Sequence, residues 1–192
     1  MRLQVDDALI VVDVQRDFLP GGSLPVPDGD AVVTPINLLL RRFEKEDLPI
    51  FATRDWHPQD HCSFVDRGGS WPPHCVQDST GSEFAPTLRL PNDATIVSKG
   101  THPVADAYSG FDGTDLELRL KEAGVRRVIV GGLATDYCVL ATVRDAVAAG
   151  FDVVVVDDAI RAVNVEARDG DTALKAMRDL GVSTANSAEL VG

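Results

Sequence analysis

Ala8-Leu9-Ile10-Val11-Val12-Asp13-Val14 is an unbroken aliphatic run that closes on an acid. With no polar alternation, it reads as a strand buried on both faces, the kind found in parallel sheets sandwiched between helices. Pro49 to Asp55 is a second such run, and Ala94 to Lys99 a third. Val125 to Gly131, Asp152 to Asp157 and Val182 to Thr184 complete six strands. Amphipathic stretches separate them. One helix is expected from about Asp28 to Asp47, with Pro35 in its first turns, where a missing N–H is tolerated. Thr114 and Glu117 have the spacing of a capping box for a helix to Glu122, stopped by Gly124. Further helices are expected over Thr135 to Ala149 and about Val165 to Leu180, each followed by a glycine. The alternation predicts an α/β fold, a three-layer α-β-α sandwich around a mainly parallel, six-stranded, Rossmann-like sheet. Residues 1–192 read as a single domain.

The chain's 192 residues are 44% hydrophobic and 25% charged, ordinary for a folded globular protein. No apolar run approaches the roughly 20 residues of a membrane span. The opening residues are acidic by Asp6 and lead straight into a strand, so no secretory leader is expected. The net charge of −12 repels phosphate, which argues against nucleic acid and membranes as partners. Many acids with only four lysines fit either a high-salt host or a genome that writes Arg for Lys. Cys62, Cys75 and Cys138 are an odd number of cysteines, and free thiols in a reducing cytoplasm are the expectation.

In such sheets the site lies beyond the carboxyl ends of the strands. Those ends carry Asp13, Asp55, Lys99 and the turn Gly131-Gly132-Leu133-Ala134-Thr135, which leads to Cys138. With Thr135 as N-cap, Cys138 falls in the first helical turn, where amides are unpaired and a thiol is expected to ionise more readily. Lys99 would favour the thiolate further, Asp13 could take its proton, and free amides of the turn could hold an oxyanion. A lone cysteine there is more often a small buried hydrophobe. The three groups together at strand ends favour chemistry.

Between Trp56 and about Pro91 lies a long irregular stretch, expected to be a functional insertion. Asp55 and His57 at i and i+2 point the same way from an extended chain. His61 and His74 follow. Imidazoles with a carboxylate suit Zn, Fe or Mn and leave positions open. Cys62 and Cys75 flank His61 and His74, but their spacing lacks the close cysteine pair of a structural zinc knuckle.

The motifs Val12-Asp13-Val14-Gln15-Arg16-Asp17-Phe18, Arg54-Asp55-Trp56-His57-Pro58, Trp71-Pro72-Pro73-His74-Cys75, Ser98-Lys99-Gly100, Ala107-Tyr108-Ser109 and Gly131 to Cys138 run in order along nearly the whole chain. Together they resemble the nicotinamidase/pyrazinamidase branch of the isochorismatase-like (cysteine hydrolase) superfamily. The resemblance implies hydrolysis of nicotinamide to nicotinate and ammonia through a Cys138 thioester, with Asp13 and Lys99 completing the triad. The physiological role it implies is NAD salvage in the cytoplasm. It also implies an oxyanion hole of the Ala134 and Cys138 amides after a cis Leu133–Ala134 bond. Phe18, Trp71 and Tyr108 would wall the pyridine ring. One divalent metal, Zn or Fe with Mn also compatible, would sit on Asp55, His57 and His74 and take the ring nitrogen. His61 is a fourth ligand in some relatives, and water stands there in others. No organic cofactor is implied. Relatives occur both as monomers and as larger assemblies, so homo-oligomers remain open. The rival reading is another amidase or hydrolase of the same fold, for which little metal dependence is expected.

Overall fold

The computed structural model describes residues 1–192. The aliphatic runs form β1 (Asp7–Val12), β2 (Ile50–Asp55), β3 (Thr95–Lys99), β4 (Arg127–Leu133), β5 (Asp152–Arg161) and β6 (Ser183–Ala185). All pairings are parallel, in the order β3-β2-β1-β4-β5-β6. The first run is therefore a central strand, and every residue of β1 is buried. Its side chains divide between the two faces with the period of a strand. Leu9 and Val11 pack with Ile36, Leu39, Leu40 and Phe43 of α1 (Val33–Lys45). Ala8, Ile10 and Val12 join the opposite core. There they meet α2 (Leu116–Glu122), α3 (Leu140–Ala148) and α4 (Asp169–Asp179), which contribute Leu120, Val143 and Met177. Each fully buried aliphatic side chain contributes roughly 1.5–3 kcal/mol, so both layers are anchored through β1.

Several boundaries differ from the sequence expectation. The first helix begins at Val33, preceded by a 3-10 turn over Gly29–Val32. The Thr114–Glu117 capping box does not form. Thr114 Oγ1 instead donates to the Gly110 carbonyl at 2.6 Å and accepts from the Leu116 amide at 3.2 Å, which tightens the turn ahead of the helix. β5 runs on to Arg161, resuming its pairing with β4 at Gly132 and Leu133 after a register shift between Val130 and Gly132. A short α5 (Ser187–Val191) closes the chain, with the reciprocal Asn186–Glu189 cap that Thr114 lacks. No helix is long and apolar enough to cross a membrane.

The expected helix from Thr135 opens as a π-helical turn over Thr135–Val139. The Ala134 carbonyl accepts from the amides of Tyr137 and Val139, at 3.1 Å each, and passes over the amide of Cys138. The peptide before Ala134 is cis, as the resemblance implies.

Candidate active site

β1 ends at Val12, and the chain turns sharply at Asp13, which is held at φ +50°. Only a few per cent of non-glycine residues adopt that left-handed backbone. The turn buries the Asp13 side chain completely. Thr53 Oγ1 donates to Asp13 Oδ1 at 2.6 Å. On the neighbouring strands Asp55 and Lys99 are register partners, so their side chains leave the sheet side by side. Lys99 Nζ donates to Asp55 Oδ1 and to the Ala107 carbonyl, the latter at 3.3 Å, and lies 3.5 Å from Cys138 Sγ. It also stands 2.9 Å from Asp13 Oδ2. That approach is off the hydrogen-bonding direction, so the buried Oδ2 is left free to accept a proton.

Two carboxylates and one ammonium in a dry site set the titration behaviour. Burial pushes Lys99 down, but Asp13 and Asp55 outweigh it and hold the ammonium charged well above its ordinary range. Burial raises Asp13. Lys99 offsets this in part, and the charge on Asp55 adds to it. For Asp55 burial acts upward, but Lys99 and His57 prevail and hold it well below the carboxylate range. The thiol departs from the sequence expectation. Burial, with Asp13 and Asp55 close by, drives Cys138 well above the ordinary thiol value despite Lys99. Its resting form is the thiol, and the adjacent carboxylate whose own proton affinity is raised is Asp13.

Asp55 faces two ways. While Oδ1 meets Lys99, Oδ2 lies 3.5 Å from His57 Nε2 and 3.9 Å from His74 Nε2. Asp55, His57 and His74 are all buried and bring one ligand atom each within 4.8 Å of one another. The far nitrogen of each ring is anchored on backbone: His57 Nδ1 is 2.9 Å from the Gly100 carbonyl, and His74 Nδ1 is 2.8 Å from that of Pro72. A carbonyl can only accept, so each Nδ1 carries the proton and each Nε2 presents a lone pair to the common point. Gly100 holds φ +60°, and a Cβ there would run into the His57 ring. Two imidazole nitrogens and one carboxylate oxygen facing a common point fit a divalent cation with open positions.

The structure does not bring His61 into this set. Its Nε2 lies 3.2 Å from the Ala105 carbonyl and its Nδ1 2.7 Å from Ser63 Oγ, so both nitrogens are engaged. The ring stacks on His57 with centroids 4.1 Å apart. A second group of donor atoms, Asp13, Asp55 and Cys138, also falls within 4.8 Å, but the Lys99 ammonium already supplies the positive charge there.

A narrow cavity of about 50 Å³ opens over Cys138 and reaches Asp55 and His74. Phe18, Trp71 and Tyr108 all line it. Trp71 Nε1 donates to Tyr108 Oη at 2.9 Å, tying together walls that come from distant parts of the chain.

The isochorismatase domain family matches residues 7–189. The chain belongs to that family. Within it, a nicotinamidase/pyrazinamidase of Mycobacterium tuberculosis is 39% identical over 193 residues, covering 96% of this chain and 97% of the relative. A crystal structure of a pyrazinamidase of Pyrococcus horikoshii in complex with zinc superposes with a TM-score of 0.91 at 49% identity, over 94% of this chain and 99% of that one. A protein of L. infantum, solved in complex with nicotinate, gives a TM-score of 0.90 at 40% identity, over 97% and 96% of the two chains.

As an isochorismatase-family protein, this chain carries site residues that sequence reasoning missed. Thr53, which orients Asp13, stands two residues before Asp55 on the same face of β2, and that spacing was a usable signal. Leu24, Val26, Tyr137 and Val163 also line the cavity. Tyr137 packs edge-on to Trp71 at 5.1 Å. Nothing in the local sequence around Val26 or Val163 distinguishes them from loop aliphatics. The three cysteines are free, as expected.

Proposed function

We propose that this protein is a metal-dependent nicotinamidase, hydrolysing nicotinamide to nicotinate and ammonia and accepting pyrazinamide as well. The observation that carries the reading is the single buried cluster in which Lys99 joins Asp13, Cys138 and Asp55, while Asp55 also faces His57 and His74. The thiol nucleophile and two of the three cation donors, Asp55 and His74, thereby open on one narrow, aromatic-walled cavity.

Asp13 Oδ2 takes the proton from Cys138 Sγ as the sulfur attacks the carboxamide carbon. Lys99 stays charged throughout and offsets the negative charge that passes between thiolate, carboxylate and oxyanion. The amides of Ala134 and Cys138 hold the oxyanion, the latter being the one that the π-helical turn leaves out of its bonding to Ala134. When the C–N bond breaks, Asp13 returns its proton to the departing ammonia. It then takes a proton from the water that cleaves the thioester, which gives the acid and restores the thiol. Asp55, His57 and His74 would hold a divalent ion, zinc or iron. When bound, that ion would supply a positive anchor for the pyridine nitrogen, while Phe18, Trp71 and Tyr108 wall the ring. His61 supports the His57 ring from behind. A role in NAD salvage is the one that the family resemblance implies.

Ammonia release from nicotinamide tests this directly. Wild type is expected to release ammonia, to stop after chelation and to resume when zinc or iron is restored. Cys138→Ala is expected to fold, since alanine suits a helical turn, and to release none. Release that persists in Cys138→Ala would remove the nucleophile. Release that persists after complete metal removal would favour the rival reading, an amidase of the same fold without metal dependence.

A further inference from the structure

Asp17 lies in the 3-10 turn Arg16–Phe18 that follows β1, and the reaction above makes no use of its side chain. Its carboxylate nevertheless joins two distant parts of the site. Oδ2 accepts from the Cys75 amide at 2.7 Å, and Oδ1 accepts from the Ser23 amide at 3.2 Å. Cys75 directly follows His74 and is held at φ +46°, a left-handed backbone that needs outside support in a residue with a side chain. The Cys75 carbonyl in turn accepts from the His57 amide at 3.0 Å, and the His57 carbonyl accepts from Gln77 at 2.8 Å. The backbone that carries both histidines is thus pinned at Cys75. At the other oxygen, Ser23 precedes Leu24, whose side chain lines the cavity and whose amide bonds the Asp17 carbonyl at 3.0 Å. A third element closes around the carboxylate. Gly81 approaches so closely that a Cβ at that position would fall on the Asp17 carboxyl group.

We propose that Asp17 is a positioning residue that sets the geometry of the metal donors and of the Leu24 wall together, and that Gly81 is glycine to leave room for its carboxylate. The inference rests on the reading that Asp55, His57 and His74 hold a divalent ion. Two backbone amides converge on two carboxylate oxygens, and an anionic acceptor makes both bonds strong. Asparagine offers one carbonyl oxygen and an amino group that cannot accept, so one of the two amides loses its partner. Residues that orient metal ligands from behind typically change metal affinity about 10–100-fold when replaced.

The test is zinc affinity, measured by competition with a chromophoric chelator on metal-stripped wild type, Asp17→Asn, Gly81→Ala and His57→Ala, alongside the melting temperature of each metal-free protein. Asp17→Asn is expected to weaken zinc binding about 10–100-fold and to raise KM for nicotinamide even at saturating zinc. Gly81→Ala leaves every hydrogen-bonding group in place and only displaces the carboxylate. It is expected to weaken zinc binding in the same direction, and the double variant to be no worse than Asp17→Asn alone. A lowered melting temperature with wild-type zinc affinity would make Asp17 merely structural and overturn the proposal. Should Asp17→Asn fail to fold, wild-type zinc affinity in folded Gly81→Ala would overturn it equally. If His57→Ala loses zinc while Asp17→Asn and Gly81→Ala keep it, this inference alone fails. If wild type binds no more zinc than His57→Ala, the metal reading fails and takes the inference with it.

Discussion

Replacing Lys99 by methionine keeps the length of the side-chain stem and deletes one charge. In the metal-free protein that charge is the one cation shared by Asp13 and Asp55, at 2.9 Å from Asp13 Oδ2 and in direct contact with Asp55 Oδ1. Lys99 and Asp13 are fully buried and Asp55 nearly so, so water cannot replace it. Removing one partner from a buried ion pair costs roughly 3–5 kcal/mol. For a chain of this size each kcal/mol moves the melting temperature by about 2–4 °C, which gives a loss of roughly 6–20 °C near neutral pH. The pH dependence has a definite sign. In wild type Asp55 is held below its ordinary value, so its contribution is present above the unfolded pKa of about 3.9 and is lost as pH falls through the folded value. In the variant, burial and mutual repulsion raise both carboxyls. Each then favours the fold below the unfolded value and ceases to do so as pH rises through its raised folded value. The gap between wild type and variant is therefore widest near neutral pH and narrows as pH falls towards about 4. Differential scanning calorimetry of both metal-stripped proteins across that range reads it out. A variant within about 2 °C of wild type near neutral pH, less than about one kcal/mol, would refute the reasoning. So would a gap that widens on acidification.

The same charges shape turnover. Because Asp13 must be ionised to take the thiol proton and burial raises it above its ordinary 3.8, kcat/KM should fall on the acid side with a midpoint above that value. A Cys138 proton held well above the ordinary thiol range predicts no alkaline rise from thiolate formation near pH 7, and a pH–rate profile checks both limbs. Tyr108→Phe removes the acceptor for Trp71 Nε1. At about 1 kcal/mol for a partly exposed hydrogen bond, KM for nicotinamide should rise roughly fivefold with kcat little changed, and steady-state kinetics would show a KM-only effect.

Asp55 shows how far the linear reading reaches. Its i, i+2 relation to His57 marked a metal ligand, and its place at a strand end marked the reactive rim. That the same carboxylate also holds Lys99 follows from the β2–β3 register, which pairs Asp55 with Lys99 across the sheet. His61 was grouped with His57 and His74 by proximity in sequence. The fold gives both its nitrogens to Ala105 and Ser63 instead, and the Ala105 carbonyl comes from a loop beyond β3. Cys138 was expected to ionise easily because a helix start and a lysine favour a thiolate. Burial and two carboxylates from other strands reverse that direction.

By itself the sequence determined the layered fold, because runs such as Ala8–Val12 can bury both faces only inside a parallel sheet between helices. It also determined which chemical groups stand at the strand ends, since that follows from where each run stops. Only the tertiary structure decided the strand order, the positive-φ turn that buries Asp13, the π-helical turn that bypasses the Cys138 amide, and the charge state of each group. Those features depend on distances and desolvation between segments far apart in the chain, and no local pattern of residues encodes a through-space field.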